Sequence, residues 1–167
     1  MADTVSQVEA IPASYPTSNQ DALWQRVEGY VAHRWTERSV VWIVDGPGHW
    51  RAPLTPAVIT TTEVWKNGAY EAVTLEASPM GGLDLPDGTF RITGTVGADN
   101  AAPEIVLQAF DRLSDYLEAD AGGVPGASSY SINLGQISES FRRNPAYLAR
   151  ALDMSGAADL LRNYRRA

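Results

Sequence analysis

The pattern of apolar and polar positions is sharpest between Pro103 and Asp120. Val106, Ala109, Phe110, Leu113, Tyr116 and Leu117 recur at steps of three and four, which stacks them on one face of a helix. Glu104, Gln108, Asp111, Arg112, Asp115 and Glu118 fall mainly on the opposite face. Pro103 suits the first helical position, where a missing N–H is no loss. Ala121-Gly122-Gly123 supplies glycine for a left-handed cap. A second helical stretch runs from Ser18 to about Arg38. Its stripe is Leu23, Val27, Tyr30 and Val31, with Trp24 and Trp35 on the flanks. Ser18 with Asp21 three residues on resembles a capping box. Gly29 costs about 1 kcal/mol relative to Ala inside a helix, and is expected to let this helix approach the 103–120 helix. Phe110 and Leu113 are expected to be buried between the two.

Between these helices the period changes to two. Val40 to Val44 reads as a strand, closed by the turn Asp45-Gly46-Pro47-Gly48. Trp50 to Leu54 reads as a short second strand. Val58 to Trp65, rich in Thr and Val, is the strongest strand. Asn67-Gly68 predicts a tight hairpin, with Ala69 to Leu75 as the returning partner. Ser78 to Gly82 is loop. Thr89 to Val96 is a further strand with Phe90 and Ile92 on one face. After Gly123 comes a loop through Val124-Pro125-Gly126, then weak alternation from Tyr130 to Ile137. Asn144-Pro145 starts a helix with Tyr147, Leu148 and Leu152 on one side. Ser155 caps a last short helix carrying Leu160, Leu161 and Tyr164. Residues 1–16 hold Pro12 and Pro16 and no lasting period. They predict an extended, partly mobile arm whose Val5, Val8, Ile11 and Tyr15 are free to dock onto a neighbour.

The expected fold class is therefore α+β: a helical bundle with an inserted small antiparallel β-sheet and an extended C-terminal segment. One domain spans residues 1–167. It divides into an arm (1–17), a body (18–138) and a C-terminal segment (139–167).

Composition narrows the chemistry. The 167 residues are 44% hydrophobic, enough for one real core. No apolar run reaches the roughly 18 residues of a membrane span, and no basic-then-apolar leader is read at the N-terminus. Cysteine is absent. That excludes disulfides, a thiol nucleophile and a cysteine zinc site, and fits a reducing compartment. The net charge of -7 argues against a general nucleic-acid binder. The charge is uneven. Residues 1–138 carry 7 Arg/Lys against 17 Asp/Glu, and residues 139–167 carry 6 Arg against 3 Asp/Glu. An acidic body thus ends in a basic segment.

Candidate catalytic groups are few. His33 and His49 are the only histidines. Asp45, four residues before His49, gives an acid–base reading, but Asp45-Gly46-Pro47-Gly48 is turn chemistry first. The histidines lack H-E-x-x-H spacing, no serine sits in G-x-S-x-G, and Gly81-Gly82 is followed by Leu83 and Asp84 rather than by a phosphate-binding helix. The five tryptophans are expected to pack sheet against helices. No catalytic residue, cofactor or metal is expected. The alternative is a small ligand-binding or enzymatic α+β domain using Asp45, His49 and nearby aromatics. At the C-terminus, Leu160, Leu161 and Tyr164 alternate with Arg162, Arg165 and Arg166. That pattern suits docking onto an acidic, partly apolar groove.

The order of these segments carries a resemblance. A helix ending in Thr36-Glu37-Arg38 is followed by a strand, a proline-containing loop and Val58-Ile59-Thr60-Thr61-Thr62-Glu63-Val64-Trp65. The Asn67-Gly68 hairpin and a strand leading to a proline-started helix come next. Tyr130-Ser131-Ile132, Ile137-Ser138-Glu139-Ser140-Phe141 and Ala157-Ala158-Asp159-Leu160-Leu161-Arg162-Asn163-Tyr164-Arg165-Arg166 complete it. Over residues 20–167 this resembles the head–tail connector, or adaptor, proteins of long-tailed phages and gene transfer agents. Many relatives have a longer N-terminal helical region where this chain has proline-rich residues 1–16. The resemblance implies a non-enzymatic virion protein, assembled in the host cytoplasm and placed at the neck. It implies a homo-oligomeric ring, commonly dodecameric, beneath the portal, extending the DNA channel and joining the head to the next neck, head-closure or tail-terminator protein. DNA is then passing cargo, no membrane is involved, and the C-terminal segment engages the portal. The portal-docking residues on this reading are Leu160, Leu161, Arg162, Tyr164, Arg165 and Arg166.

Overall fold

The computed structural model describes residues 2–98, 101–121, 129–134, 137–142 and 148–165. The strands are β1 (Asp3–Glu9), β2 (Arg38–Asp45), β3 (Gly48–Trp50), β4 (Ala57–Lys66), β5 (Ala69–Ala72), β6 (Glu76–Ala77), β7 (Leu83–Leu85), β8 (Thr89–Val96), β9 (Ser129–Leu134) and β10 (Ile137–Arg142). The α-helices are α1 (Asp21–Tyr30), α2 (Glu104–Ala121), α3 (Ala151–Met154) and α4 (Ala157–Leu160), with a 3-10 turn at Arg162–Tyr164. A five-stranded antiparallel sheet runs β1-β2-β8-β4-β5, and a three-stranded sheet runs β3-β7-β6. β9 and β10 form a separate hairpin.

The sheets, not the helices, dominate. The expected helical bundle with a small inserted sheet is overturned by eight strands in two packed sheets, against helices of which only α2 exceeds ten residues among those described. The physical reason lies at both ends of the expected sheet. Residues 3–9 add a fifth strand, and the 76–85 stretch adds two short strands under the main sheet. The helix predicted to reach Arg38 also stops at Tyr30. Arg34 ends it: its Nη1 donates to the carbonyls of Glu28, Val31 and His33 at 2.8, 3.1 and 3.1 Å, which satisfies acceptors that a helix end leaves free. The chain then runs extended so that Ala32 and Arg34 bond Thr55.

Two cores result. In the sheet half, Val40, Trp42 and Val44 of β2 and Phe90, Ile92 and Val96 of β8 point to one side. There they meet Trp50 and Leu85 of the smaller sheet, with Ala52 and Leu54. The alternation along β8 is strict: every second residue, from Phe90 to Val96, is buried. Gly94 sits where β4 is irregular between Ile59 and Thr61. A Cβ there would lie 2.2 Å from the Val58 carbonyl oxygen, so glycine permits this close strand approach. The Asn67-Gly68 hairpin forms as expected, with φ of 52° and 84°.

In the helical half, Val106, Ala109, Phe110 and Leu113 of α2 meet Trp24 and Val27 of α1. Trp24 stacks on Phe110 with ring centroids 4.6 Å apart. Trp24 is thus central rather than flanking. Gly29 does not serve helix approach: a Cβ on it would meet nothing within 4 Å.

Candidate functional site

The C-terminal segment closes the helical half. Gly156, at φ 73°, turns the chain between α3 and α4. The Ser155 hydroxyl accepts the Ala157 N–H at 3.3 Å, but the N-cap of the last helix is Gly156, and Ser155 closes the helix before it. Ala157 and Leu161 are fully buried beside Ala151 and α2. Tyr164 then lies against an aromatic cluster, 5.4 Å from the His33 ring and 5.7 Å from Trp35. The Tyr164 carbonyl accepts the Ala32 N–H at 3.0 Å.

Five of the six candidate docking residues therefore have a definite place. Leu161 faces the chain's own core. Tyr164 and Leu160 are half-buried against it. Arg162 points to solvent, with a side chain 78% exposed and only a loose 3.8 Å approach to Asp159. Arg165 is exposed, 4.5 Å above the Tyr30 ring, and donates to the Tyr30 hydroxyl at 3.0 Å. Arg166 lies outside the described residues, as do Asn144, Pro145 and Tyr147. The expected extended segment, free of the body, is thus corrected for residues 148–165. It is helical and packed, because Leu161 and Tyr164 find partners on α1, α2 and the 31–35 stretch. The outward surface is Arg162 and Arg165 over an apolar base.

His33 sits under this surface. Burial, and then the neighbouring Arg34 charge, hold its pKa below the ordinary histidine value. A neutral imidazole is what an aromatic cluster beside an arginine favours.

Asp45 and His49 are held apart in their bonding. Asp45 accepts from Thr89 Oγ1 at 3.3 Å, whereas His49 Nε2 lies 2.6 Å from the Gly81 carbonyl oxygen. No hydrogen bond or ion pair joins them. The turn chemistry at 45–48 therefore takes both side chains into loop bracing.

A feature unseen in the sequence joins the two halves. Glu9 of β1 binds Arg34 through both oxygens, at 2.6 and 3.0 Å. Arg38 of β2 binds Glu9 at 3.1 Å and Glu28 of α1 at 2.7 and 2.9 Å. Glu28, Arg34 and Arg38 are all buried. Two carboxylates and two guanidiniums neutralise one another, so the adjoining cleft of ≈ 240 Å³ presents no uncompensated charge to a ligand. The only sequence signal was a Glu28 on the inward side of a helix. The four residues are too far apart along the chain for spacing to reveal the rest.

No protein-family model matches this chain, and no curated protein is significantly similar to it.

Proposed function

We propose that the protein is a structural adaptor of a phage-type head–tail neck. Copies would form a ring beneath a portal, extend the DNA channel and offer a platform to the next neck protein. The observation that carries this reading is the C-terminal arrangement. Of the stretch that gives the resemblance, Leu160-Leu161-Arg162-Asn163-Tyr164-Arg165 is folded onto the body, with Arg162 and Arg165 outward. Arg165, held on Tyr30, loses little freedom on docking, and both arginines suit paired contacts with partner carboxylates. The acidic remainder of the chain suits a channel that lets DNA pass without gripping it.

The geometry changes how the docking surface works. Leu161 holds the segment in place, and the arginines make the contact. Removing residues 157–167 would therefore unseat a core leucine and could not test docking alone. The cleaner variant is Arg162→Ser with Arg165→Ser, mixed with tail-less, portal-containing heads. Joining should fall, most steeply at low salt where charge steers encounter, while the thermal melt stays unchanged. Equal joining by variant and wild type would place the portal contact elsewhere.

A further inference from the structure

The five-stranded sheet has two faces, and only one is covered by the smaller sheet. On the other, cross-strand register builds a row of Val8, Val41, Thr93 and Thr61. Val8 is 66% exposed, and at the β4 side of the same face Val58 is 62% and Trp65 48% exposed. β1 is patterned inside out to serve this face. It turns Thr4 and Gln7 inward, where they accept hydrogen bonds from Trp50 and Trp42, and Glu9 inward onto the arginines. Its valines are left in solvent. A strand that spends its inward positions on polar groups and its outward ones on valine has an outer face suited to burial.

We propose that this open face is buried against a second copy of the chain. Charge selects that occupant. The chain carries -7, so two copies that bring their acidic surfaces together repel. Yet the centre of this face holds only the Glu63–Arg91 pair, closed on itself at 2.6 and 2.8 Å. Asp3 and Asp45 are confined to one corner, opposite each other in register. A strongly basic or acidic partner would find no counter-charge here, whereas another copy can lie on it without bringing like charges together. Size agrees. Five strands at about 4.8 Å spacing and roughly eight residues long cover on the order of 500–600 Å², most of the roughly 800 Å² that each partner contributes to a stable interface. Trp65, held edge-on to Tyr70 at 4.8 Å, with the Arg91 guanidinium 4.1 Å from the Tyr70 ring, supplies the residue types that anchor such contacts. The inference rests on the ring reading only in that copies of the chain associate; it names the surface they use.

The test is the oligomeric mass of the full chain, by light scattering and sedimentation over a concentration series. Val8→Glu with Val58→Glu should weaken self-association on the order of tenfold or more. The milder Val8→Thr with Val58→Thr, which preserves strand propensity, should weaken it less. Met80→Glu, equally exposed at 68% but on a loop off this face, should leave it unchanged. Unaltered thermal melts establish that the exposed substitutions do not unfold the protomer. Undiminished assembly of the glutamate variant overturns the proposed face and leaves the ring reading standing. A wild type that stays monomeric at all concentrations overturns both. Loss of head joining with self-association intact gives the face to a different partner, and overturns the proposal.

Discussion

Each half of the molecule is built on a pair of tryptophans, and the pairs are treated differently. In the sheet half, Trp42 and Trp50 meet edge to face at 5.5 Å, and both indole N–H groups are satisfied, by Gln7 and Thr4 at 2.9 Å each. In the helical half, Trp24 and Trp35 meet in the same way at 5.8 Å, but both indole nitrogens are buried without a hydrogen-bond partner among the described residues. An unsatisfied buried donor costs about 1–3 kcal/mol. The sheet half is thus closed by a strand that matches its polar needs. The tryptophan pair of the helical half is held by packing, and that packing is completed by the C-terminal segment. The half that bears the proposed docking surface is the one with polar groups left unmet.

The comparison breaks most severely at Phe110. It is 2% exposed and stacked on Trp24, so Phe110→Ala should cost about 3–5 kcal/mol. Urea denaturation followed by tryptophan fluorescence measures this, and a loss below about 1 kcal/mol would mean that the helical half does not depend on that stack.

The same substitution made in both halves sharpens the contrast. Trp42→Phe discards the hydrogen bond to the Gln7 side chain. Trp35→Phe discards an N–H that had no partner. Both lose indole volume, so the excess cost of the Trp42 variant should be about 1–3 kcal/mol, matching the polar term. Equal costs in chemical denaturation would refute the idea that the two cores differ in polar satisfaction.

The smallest effect is pH dependence in the helical half. His33 has a lowered folded pKa, so the unfolded chain binds the proton more readily. Stability from this group is fully present above the ordinary histidine value near 6.5 and declines as pH falls from there through the folded value. His33→Gln should flatten the stability-against-pH curve in that window. An unchanged slope would assign the dependence to other groups.

Much of the sheet was legible in the chain. β8 alternates without exception, β4 is rich in β-branched residues, and Asn67-Gly68 has the turn chemistry that a hairpin needs. α2 was equally plain, since its apolar face is continuous. β1 was not, because its valines face outward and its inward residues are polar, which reverses the usual signal. β6 and β7, of two and three residues, are too short to show any period. The balance between helix and sheet was misjudged for these reasons. At the C-terminus, the spacing of Leu160, Leu161 and Tyr164 was visible but its direction was not. An amphipathic segment announces that it covers something, and here part of what it covers is its own protomer.

The stretch from Val31 to Arg38 receives β1 and the C-terminal segment: Glu9 from one side, and the Tyr164 carbonyl from the other. That gives the protein a timetable during synthesis. The sheet half takes its buried residues from positions 2 to 96, so it can form while translation continues, as N-terminal units commonly do. The helical half needs Ala157 and Leu161, which emerge only after the whole sheet half. A chain released early would carry a finished sheet beside a bare surface of Trp24, Trp35 and Phe110. Such fragments should be the ones that chaperones hold and proteases clear.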